Sequence, residues 1–224
     1  MKKSFWITLT FSLGYLLLAL ACLVRWGNPH PWQRIDFFSA GYLALRFLGS
    51  IHSLVSSREV FDSKPVMREW WALESDHSAP PLVVFLMAAD LAVFLDYGHW
   101  RLVPALEQPW LQSLGLGLYL AVAIWQTWTD TYLARYFGRG NPEAVPMDHG
   151  PFLYVRHPRY SAAIIAKVAV ALALASVLGW ALAGAWTIVM LRKIAVEEVH
   201  LRTVFGTRYQ TYSQKTAKVL PGIY

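Results

Sequence analysis

Residues 150–191, GPFLYVRHPRYSAAIIAKVAVALALASVLGWALAGAWTIVML, join a short polar motif to a long apolar run. The run from Ser161 to Leu191 has 31 residues and a single charge, Lys167. As one straight helix it would be about 46 Å long, whereas a hydrocarbon core is about 30 Å thick. This length predicts a helical hairpin.

The centre of the apolar run indicates where the hairpin turns. Gly179 and Trp180 lie near the middle of the run. The prediction is therefore one helix over about 161–177 and a second over about 180–200. A single long helix that projects beyond the membrane is the alternative.

Four further apolar segments precede the hairpin, and each is long enough to span a membrane. The first follows a basic start and lacks a clear small-residue cleavage site, so we interpret it as a retained helix and not as a signal peptide. The fold class is therefore an all-α integral membrane protein, with four transmembrane helices plus the C-terminal hairpin. The four predicted spans are 4–24, 35–56, 80–97 and 110–132.

Composition and charge favour the same class. The chain is 56% hydrophobic and only 15% charged, whereas soluble domains are nearer a quarter charged. If the N-terminus is cytosolic, fifteen of the 20 Lys and Arg residues lie on the inner side and three on the outer side. The net charge of +6 is thus explained by the positive-inside rule, and it does not indicate a nucleic-acid partner. Four tryptophans fall at outer helix ends, as interfacial anchors do: Trp26, Trp32, Trp100 and Trp110.

The polar motif before the hairpin has a restrained backbone. Pro151 and Pro158 stiffen it, Gly150 permits a turn, and the residue before a proline avoids the helical region, so His157 is expected to be extended. Basic and aromatic residues are concentrated here. From the residues alone, an interfacial anchor and one wall of a site are both open.

Two adjacent carboxylates follow the hairpin. Helical spacing places Glu197 beside Lys193, and Glu198 beside Arg202. These residues form either a solvated, salt-bridged helix end or a site in which one glutamate binds a cationic amine and the other holds a basic neighbour. The aromatic residues beyond them recur at helical spacing and predict a short amphipathic helix that packs back on the site: Phe205, Tyr209 and Tyr212.

Several ionisable residues fall inside predicted spans. Asp90 and Asp96 lie in the third span and Arg46 in the second, and intramembrane charges suggest function by default. They form either a substrate site or helix-to-helix ion pairs. The seven histidines have no metal-ligand spacing, so no metal is predicted, and Cys22 is the only cysteine.

The motif, the glutamate pair and the tail, in this order, resemble the isoprenylcysteine carboxyl methyltransferases and their bacterial relatives, which share this region with the phospholipid N-methyltransferases. The family pattern is roughly G-x-Y, R-H-P-x-Y, an apolar hairpin, E-E, F-G-x-x-Y-x-x-Y and L-P. The resemblance covers the C-terminal two-fifths of the chain. The matching residues are Gly150 to Phe152, Arg156 to Tyr160, Glu197–Glu198, Phe205 to Tyr212 and Leu220–Pro221.

The resemblance implies an enzyme that transfers a methyl group from S-adenosylmethionine, leaving S-adenosylhomocysteine, to a lipophilic or lipidated acceptor from the bilayer. It implies a cytosol-facing cofactor pocket formed by the 133–160 loop and the C-terminal tail. It also implies that residues 133–224, with the hairpin 161–200, form the catalytic region and residues 1–132 the scaffold. The implied cofactor-binding residues are Val145, Met147, Phe152, His157, Pro158, Arg159, Tyr160, Glu197 and Glu198.

Three departures from the family pattern bear on the acceptor. A common histidine is replaced by Ala144, the G-x-Y tyrosine is Phe152, and the arginine that holds a carboxylate substrate is replaced by Lys193, with Arg192 beside it. Lysine cannot make arginine's bidentate pairing. The implied catalytic residues are Lys193, Arg192 and Glu197.

The expected activity is carboxyl O-methyl transfer of the isoprenylcysteine type. Phospholipid N-methylation and thiol S-methylation are the alternatives within the enzyme class. A transporter or structural bundle that uses Arg46, Asp90 and Asp96 is the alternative outside it. The sequence leaves the oligomeric state open.

Overall fold

The computed structural model describes residues 2–61, 89–138 and 149–222. These residues are almost entirely helical and contain no β-strand, which agrees with the predicted all-α class. The helices are α1 (Lys2–Leu23), α2 (Phe37–Phe61), α3 (89–95, followed by a π-helical turn at Asp96–Trp100), α4 (Pro109–Gly138), α5 (Pro158–Ala173) and α6 (Val177–Lys215).

The hairpin is confirmed, but its turn lies earlier than predicted. α5 ends at Ala173, Ala175 has a φ of +44°, and α6 begins at Val177. Ser176 caps α6, because its hydroxyl accepts a hydrogen bond from the backbone N–H of Gly179 at 3.1 Å. The predicted limits of 161–177 and 180–200 are therefore wrong at the turn.

Gly179 has a role in packing and not in turning. A Cβ at this position would lie 2.9 Å from Cα of Ala171 on the neighbouring helix. The glycine therefore allows the two arms of the hairpin to approach closely. The sequence pattern showed a small residue near the centre of the run but not which of these two functions it has.

α6 is also longer than predicted. It continues to Lys215, with a break at Gly206 (φ 52°, ψ −131°), so the expected separate tail helix is the last part of α6. Phe205 and Tyr212 pack beside the buried residues Leu201 and Tyr209. These four residues all lie on α6, so this cluster shows the aromatics packed together, and packing of the tail against the site stays a prediction at this point.

The other predicted spans coincide with helices where the structure describes them. The fourth span, 110–132, lies within α4, which extends to Gly138 and shortens the predicted 133–160 loop. The third span, 80–97, is described only from residue 89. Within the described residues, one helix, Val177–Lys215, has the length and apolar composition needed to cross a membrane.

The helices pack around α4, which lies along both α5 and α2. A tight contact between α4 and α5 forms at Gly115, where a Cβ would lie 2.3 Å from the backbone nitrogen of Ala173. A buried apolar core joins α1, α2, α3 and the hairpin turn: Ala19, Leu23, Tyr42, Leu43, Val93, Phe94, Tyr97 and Leu174.

Asp96 fixes the start of α6. One carboxylate oxygen accepts a hydrogen bond from the Ser176 hydroxyl at 2.6 Å, and the other accepts the backbone N–H of Leu102 at 3.0 Å. The buried Asp96 side chain therefore joins the turn after α3 to the hairpin turn. This contact assigns Asp96 to the architecture of the bundle.

Candidate active site

The polar motif and the C-terminal tail lie side by side. The backbone N–H groups of Arg156 and His157 donate to the carbonyls of Ala217 and Lys218, at 2.8 and 3.0 Å. The Ser161 hydroxyl donates to the carbonyl of Val219 at 2.6 Å. His157, immediately before Pro158 starts α5, is non-helical (φ −123°, ψ 64°). The proline thus predicted correctly that this residue avoids the helical region, but its ψ falls short of the extended range that we expected.

Glu198 is the centre of a buried cluster of charges. Its side chain is only 5% exposed, and Oε1 lies 3.0 Å from Nη2 of Arg156. Oε2 lies 3.6 Å from Nη2 of Arg202 and 4.0 Å from Nζ of Lys218. The predicted pairing of Glu198 with Arg202 is confirmed. Through Arg156 and Lys218, the buried Glu198 carboxylate also connects α6 to the motif and to the tail.

His157 lies between the two glutamates. Its Nε2 is 3.4 Å from Oε1 of Glu198, and its Nδ1 is 3.6 Å from Oε2 of Glu197. Burial acts to lower the pKa of His157, but the two carboxylates outweigh burial and raise this pKa above its usual value. The arrangement therefore favours the imidazolium form.

The same contacts act on Glu198 in the opposite direction. Burial acts to raise the pKa of its carboxyl group, but His157 and Arg156 outweigh that effect and lower this pKa below its usual value. Glu198 is therefore ionised at neutral pH, and its negative charge is already balanced by protein groups.

Glu197 is the less constrained member of the pair. Its side chain is 21% exposed, and its buried Oε2 atom has no hydrogen-bond partner among the described residues. The predicted neighbour Lys193 is partly buried on the same helix, but the contact that the structure shows for Glu197 is with His157. The two adjacent glutamates thus have different surroundings, one with several basic partners and one with spare acceptor capacity.

The turn at the start of the motif depends on Gly150. Its φ is +59°, and a Cβ there would lie 2.6 Å from the ring of Tyr132 on α4. The next turn places Phe152 beside the same ring, with centroids 6.1 Å apart. The Tyr212 hydroxyl donates to the carbonyl of Phe152 at 2.7 Å, so the end of α6 also holds this turn.

The remaining predicted residues lie in different positions around the cluster. The ring of Tyr160 is 5.8 Å from that of His157, so the two belong to one site. Arg159 points to α4, where its Nε lies 3.3 Å from Asp130. Pro158 is buried, and its carbonyl accepts a hydrogen bond from Nε1 of Trp125. Arg192 is exposed on α6.

Two predicted cofactor-binding residues, Val145 and Met147, lie outside the described residues. The structure therefore describes only the part of the predicted cofactor site that the polar motif and α6 form.

Three residues of the cluster were absent from the predicted site. Arg156 contacts Glu198 and donates to the carbonyl of Ser213, while Ser161 and Lys218 bring in the tail. Arg156 could have been identified, because it lies within the R-H-P-x-Y motif. The roles of Ser161 and Lys218 depend on a tail contact about 58 residues away in sequence, which no local pattern indicates.

Comparison with known proteins identifies the class. Residues 102–208 match the family described as phospholipid methyltransferase. Methanethiol S-methyltransferase 1 of Bradyrhizobium diazoefficiens is 24% identical, over 97% of this chain and 78% of the relative. Methanethiol S-methyltransferase 2 of the same organism is 25% identical, over 99% of this chain and 87% of the relative. No solved structure matches the chain.

The helical fold, the motif and these similarities define the protein as an enzyme of the methyltransferase class. The match to the phospholipid methyltransferase family and the two methyltransferase relatives support the resemblance to membrane-associated methyltransferases that the motifs predicted.

Proposed function

We propose that the protein transfers a methyl group from S-adenosylmethionine to a lipophilic thiol at the cytosolic face of a membrane. The observation that supports the donor most directly is the buried Oε2 atom of Glu197, which makes a 3.6 Å ion-pair contact with His157 and no hydrogen bond with the described residues. A buried carboxylate oxygen with a single long contact keeps acceptor capacity, and an ammonium group is a good complement for it. S-adenosylmethionine carries both an ammonium group and a sulfonium cation.

The site residues fit that molecule. Glu197 would accept the ammonium group, while Glu198 and Arg156 hold the wall behind it. The faces of Phe152 and Tyr160 would lie against the sulfonium cation, since aromatic faces attract cations. Val145 and Met147 remain proposed contacts along the cofactor.

Methyl transfer requires little from the protein beyond placement. S-adenosylmethionine, when bound, supplies an electrophilic methyl group. In-line displacement then depends on alignment and on exclusion of water, which the buried His157 and Pro158 wall provides. Arg159 would contact the cofactor after its side chain leaves Asp130.

A thiol is the acceptor that the observations favour over a carboxylate. The two methanethiol S-methyltransferases align over 97% and 99% of this chain, so the similarity includes the N-terminal helices as well as the motif region. The motif resemblance alone favoured carboxyl O-methylation. However, the position at which the family has an arginine is occupied by Lys193, which cannot pair with a carboxylate in a bidentate way, and the neighbouring Arg192 is exposed. Phospholipid N-methylation is the second candidate, because the matching family model is that of the phospholipid methyltransferases.

The proposed topology is multi-pass, with the N-terminus, the site and the C-terminus in the cytosol. Large exposed aromatic side chains at the opposite end of the bundle support it. Trp26, Trp32, Trp100 and Trp110 are 53–77% exposed, as expected for anchors in a membrane interface.

An acceptor competition tests the proposal. The purified protein in detergent would be incubated with methyl-labelled S-adenosylmethionine and, separately, with methanethiol, phosphatidylethanolamine or a farnesylcysteine. We expect labelled dimethyl sulfide with methanethiol, at a rate at least tenfold above the other two products. Label in farnesylcysteine methyl ester or in the phospholipid alone would contradict thiol transfer but leave the donor assignment intact.

A further inference from the structure

The polar motif, residues 150–160, has two different sides. Pro151, Val155 and His157 are buried, and His157 contacts both glutamates of the candidate active site. Between these buried residues, Leu153 and Tyr154 are 60% and 55% exposed. The motif thus forms a wall of the site with one side and leaves two large side chains at the surface with the other.

The exposed side of the motif is joined to α4 by three aromatic rings, those of Trp125, Trp128 and Tyr154. The ring centroids of Trp125 and Trp128 are 5.3 Å apart, and that of Tyr154 lies 6.0 and 6.2 Å from them, in edge-to-face arrangements. The indole N–H of Trp125 donates to the carbonyl of Pro158 at 3.1 Å. Because Trp128 and Tyr154 are both exposed, these rings attach the motif to α4 and also face outward.

The three rings lie at one end of an exposed stripe along α4, in a part of the chain that has no charged residue between Glu107 and Asp130. The exposed members of the stripe recur every three or four residues: Trp110, Leu114, Gly117, Leu120, Ile124 and Trp128. Its two tryptophans are 18 residues apart, which is about 27 Å along a helix axis, whereas a hydrocarbon core is about 30 Å thick. The stripe therefore has the dimensions of a lipid-facing surface with a tryptophan at each interface.

The ionisable residues of the predicted spans are turned into the bundle and away from this surface. Nζ of Lys167 on α5 donates to both carboxylate oxygens of Asp90 on α3, at 2.6 and 2.5 Å. The guanidinium carbon of Arg46 on α2 lies 4.2 Å from the ring centroid of Tyr15 on α1. Of the two alternatives for Asp90, the structure thus shows the helix-to-helix ion pair. Inward pairing of charges is the usual arrangement in a membrane bundle, and it agrees with a lipid-facing outer surface.

A face of α6 places the membrane boundary at the same level. Trp180 in the first turn of α6 is exposed, and so are Val196 and Val199, which lie 16 and 19 residues further on, about 24–28 Å along the axis. Arg192 is exposed on the same face, and an arginine in this position keeps its stem in apolar surroundings while its charged head reaches the interface. The exposed valines flank the glutamate pair, which His157 joins to the motif. Both helices therefore place the boundary beside the candidate active site.

We propose that Trp128, Leu153 and Tyr154 anchor the polar motif in the headgroup layer of the cytosolic leaflet, so the partner of this surface is the lipid bilayer. The proposal rests on the membrane topology of the proposed function and not on the identity of the methyl acceptor. Indole and phenol rings suit this layer, because the ring is apolar while its N–H or O–H group bonds to water and headgroups. The anchor and the wall of the site belong to one short segment. The candidate active site therefore lies directly at the membrane surface and not on a part of the chain that projects into the cytosol.

The depth of the motif can be measured with spin labels on the full chain in phosphatidylcholine vesicles. Leu120→Cys, Leu153→Cys and Gln210→Cys, each in a Cys22→Ser background, place a nitroxide at three exposed positions. Collisions with oxygen, which concentrates in lipid, and with a water-soluble nickel chelate report the depth of each label. We expect position 120 deep in the lipid, position 210 in water, and position 153 within about 5–8 Å of the edge of the hydrocarbon core, the thickness of one headgroup layer.

Removal of the rings tests whether they hold the motif at this depth. Trp128→Ala combined with Tyr154→Ala should raise the collision rate of the label at position 153 with the nickel chelate toward that of position 210. Trp26→Ala removes an exposed tryptophan from the other end of the bundle and should leave this rate unchanged. The label at position 120 shows in each variant that the chain is still inserted.

The outcomes separate the anchor from the topology on which it rests. A label at position 153 that is as exposed to water as position 210, with position 120 in lipid, would overturn the anchor and leave the topology intact. A label at position 153 that neither reagent reaches would show that a second copy of the chain or another protein covers the surface, which also overturns the anchor. Exposure to water at all three positions would instead overturn the proposed membrane topology.

Discussion

Two adjacent glutamates illustrate how their surroundings divide their roles. Glu198 is buried against Arg156 and His157, with Arg202 and Lys218 nearby, so its charge is balanced within the protein. Glu197 keeps a buried oxygen without a hydrogen-bond partner among the described residues. We infer that Glu198 holds the site together and that Glu197 is the residue that meets the ligand.

This division predicts different effects on stability. Glu198→Gln should destabilise the protein by about 3–5 kcal/mol, because it leaves buried cations without their carboxylate. Glu197→Gln should cost less than about 1 kcal/mol, because a more exposed group with one charged neighbour is removed. Chemical denaturation of the two variants in the same detergent measures both. Equal losses would contradict the division.

A pH dependence follows from the raised pKa of His157. Its stabilising effect is fully present below the unfolded value of about 6.5 and is lost as the pH rises through the raised folded value. The charged groups around it are Glu197, Glu198, Arg156 and Lys218, and Glu198 stays ionised over this range because its pKa is lowered.

The measurement is the melting temperature of the wild type and of His157→Gln between pH 6 and pH 9. We expect the advantage of the wild type to decrease as the pH rises. An advantage that stays constant or grows with pH would show that the imidazolium form is not the stabilising one.

At the residue scale, the sequence predicted which residues lie in the cluster better than it predicted which of them contact each other. The resemblance to the methyltransferase family singled out the glutamate pair, His157 and Tyr160, whereas the concentration of charged and aromatic residues alone was equally typical of an interfacial anchor. Helical spacing predicted Lys193 as the neighbour of Glu197, whereas the structure shows His157 there. This contact could not be predicted, because helical spacing describes contacts within one helix only.

At the scale of helices, close packing of α4 on α5 depends on a glycine. Gly115→Ala would place a Cβ 2.3 Å from the backbone nitrogen of Ala173, and a backbone atom cannot move aside cheaply. Gly117 lies on the same helix, and a Cβ added there would have no neighbouring atom within 4 Å.

We therefore expect Gly115→Ala to cost about 1–3 kcal/mol through overpacking and Gly117→Ala to cost nothing measurable. Thermal unfolding of both variants in one detergent provides the comparison. A Gly115→Ala variant as stable as Gly117→Ala would show that the two helices are not in close contact.

The hairpin itself could be predicted because a 31-residue apolar run is too long for one crossing. Its turn could not, because Gly179 serves helix contact, while the turn is formed by Ala175 at positive φ and by the Ser176 cap. The tail contact was likewise hidden, since it depends on backbone groups of Ala217 and Lys218, which carry no side-chain signal.

At the scale of the whole molecule, the proposed topology places the two ends of the bundle on opposite sides of a membrane. Cysteines introduced at the exposed positions Trp32 and Gln210, in a Cys22→Ser background, report on the two sides. A membrane-impermeant maleimide should label position 32 in intact cells and position 210 only after permeabilisation. Labelling of both positions in intact cells would contradict the topology.

Calorimetric titration of the folded wild-type protein with S-adenosylmethionine, beside Glu197→Gln, decides whether the Glu197 site binds this methyl donor. We predict saturable binding to the wild type and an affinity about 10–100-fold lower in Glu197→Gln, the usual effect of losing a hydrogen bond to a charged group. Equal affinities would remove Glu197 from the donor site. Absence of S-adenosylmethionine binding to the folded wild-type protein would contradict the proposed methyltransferase function itself.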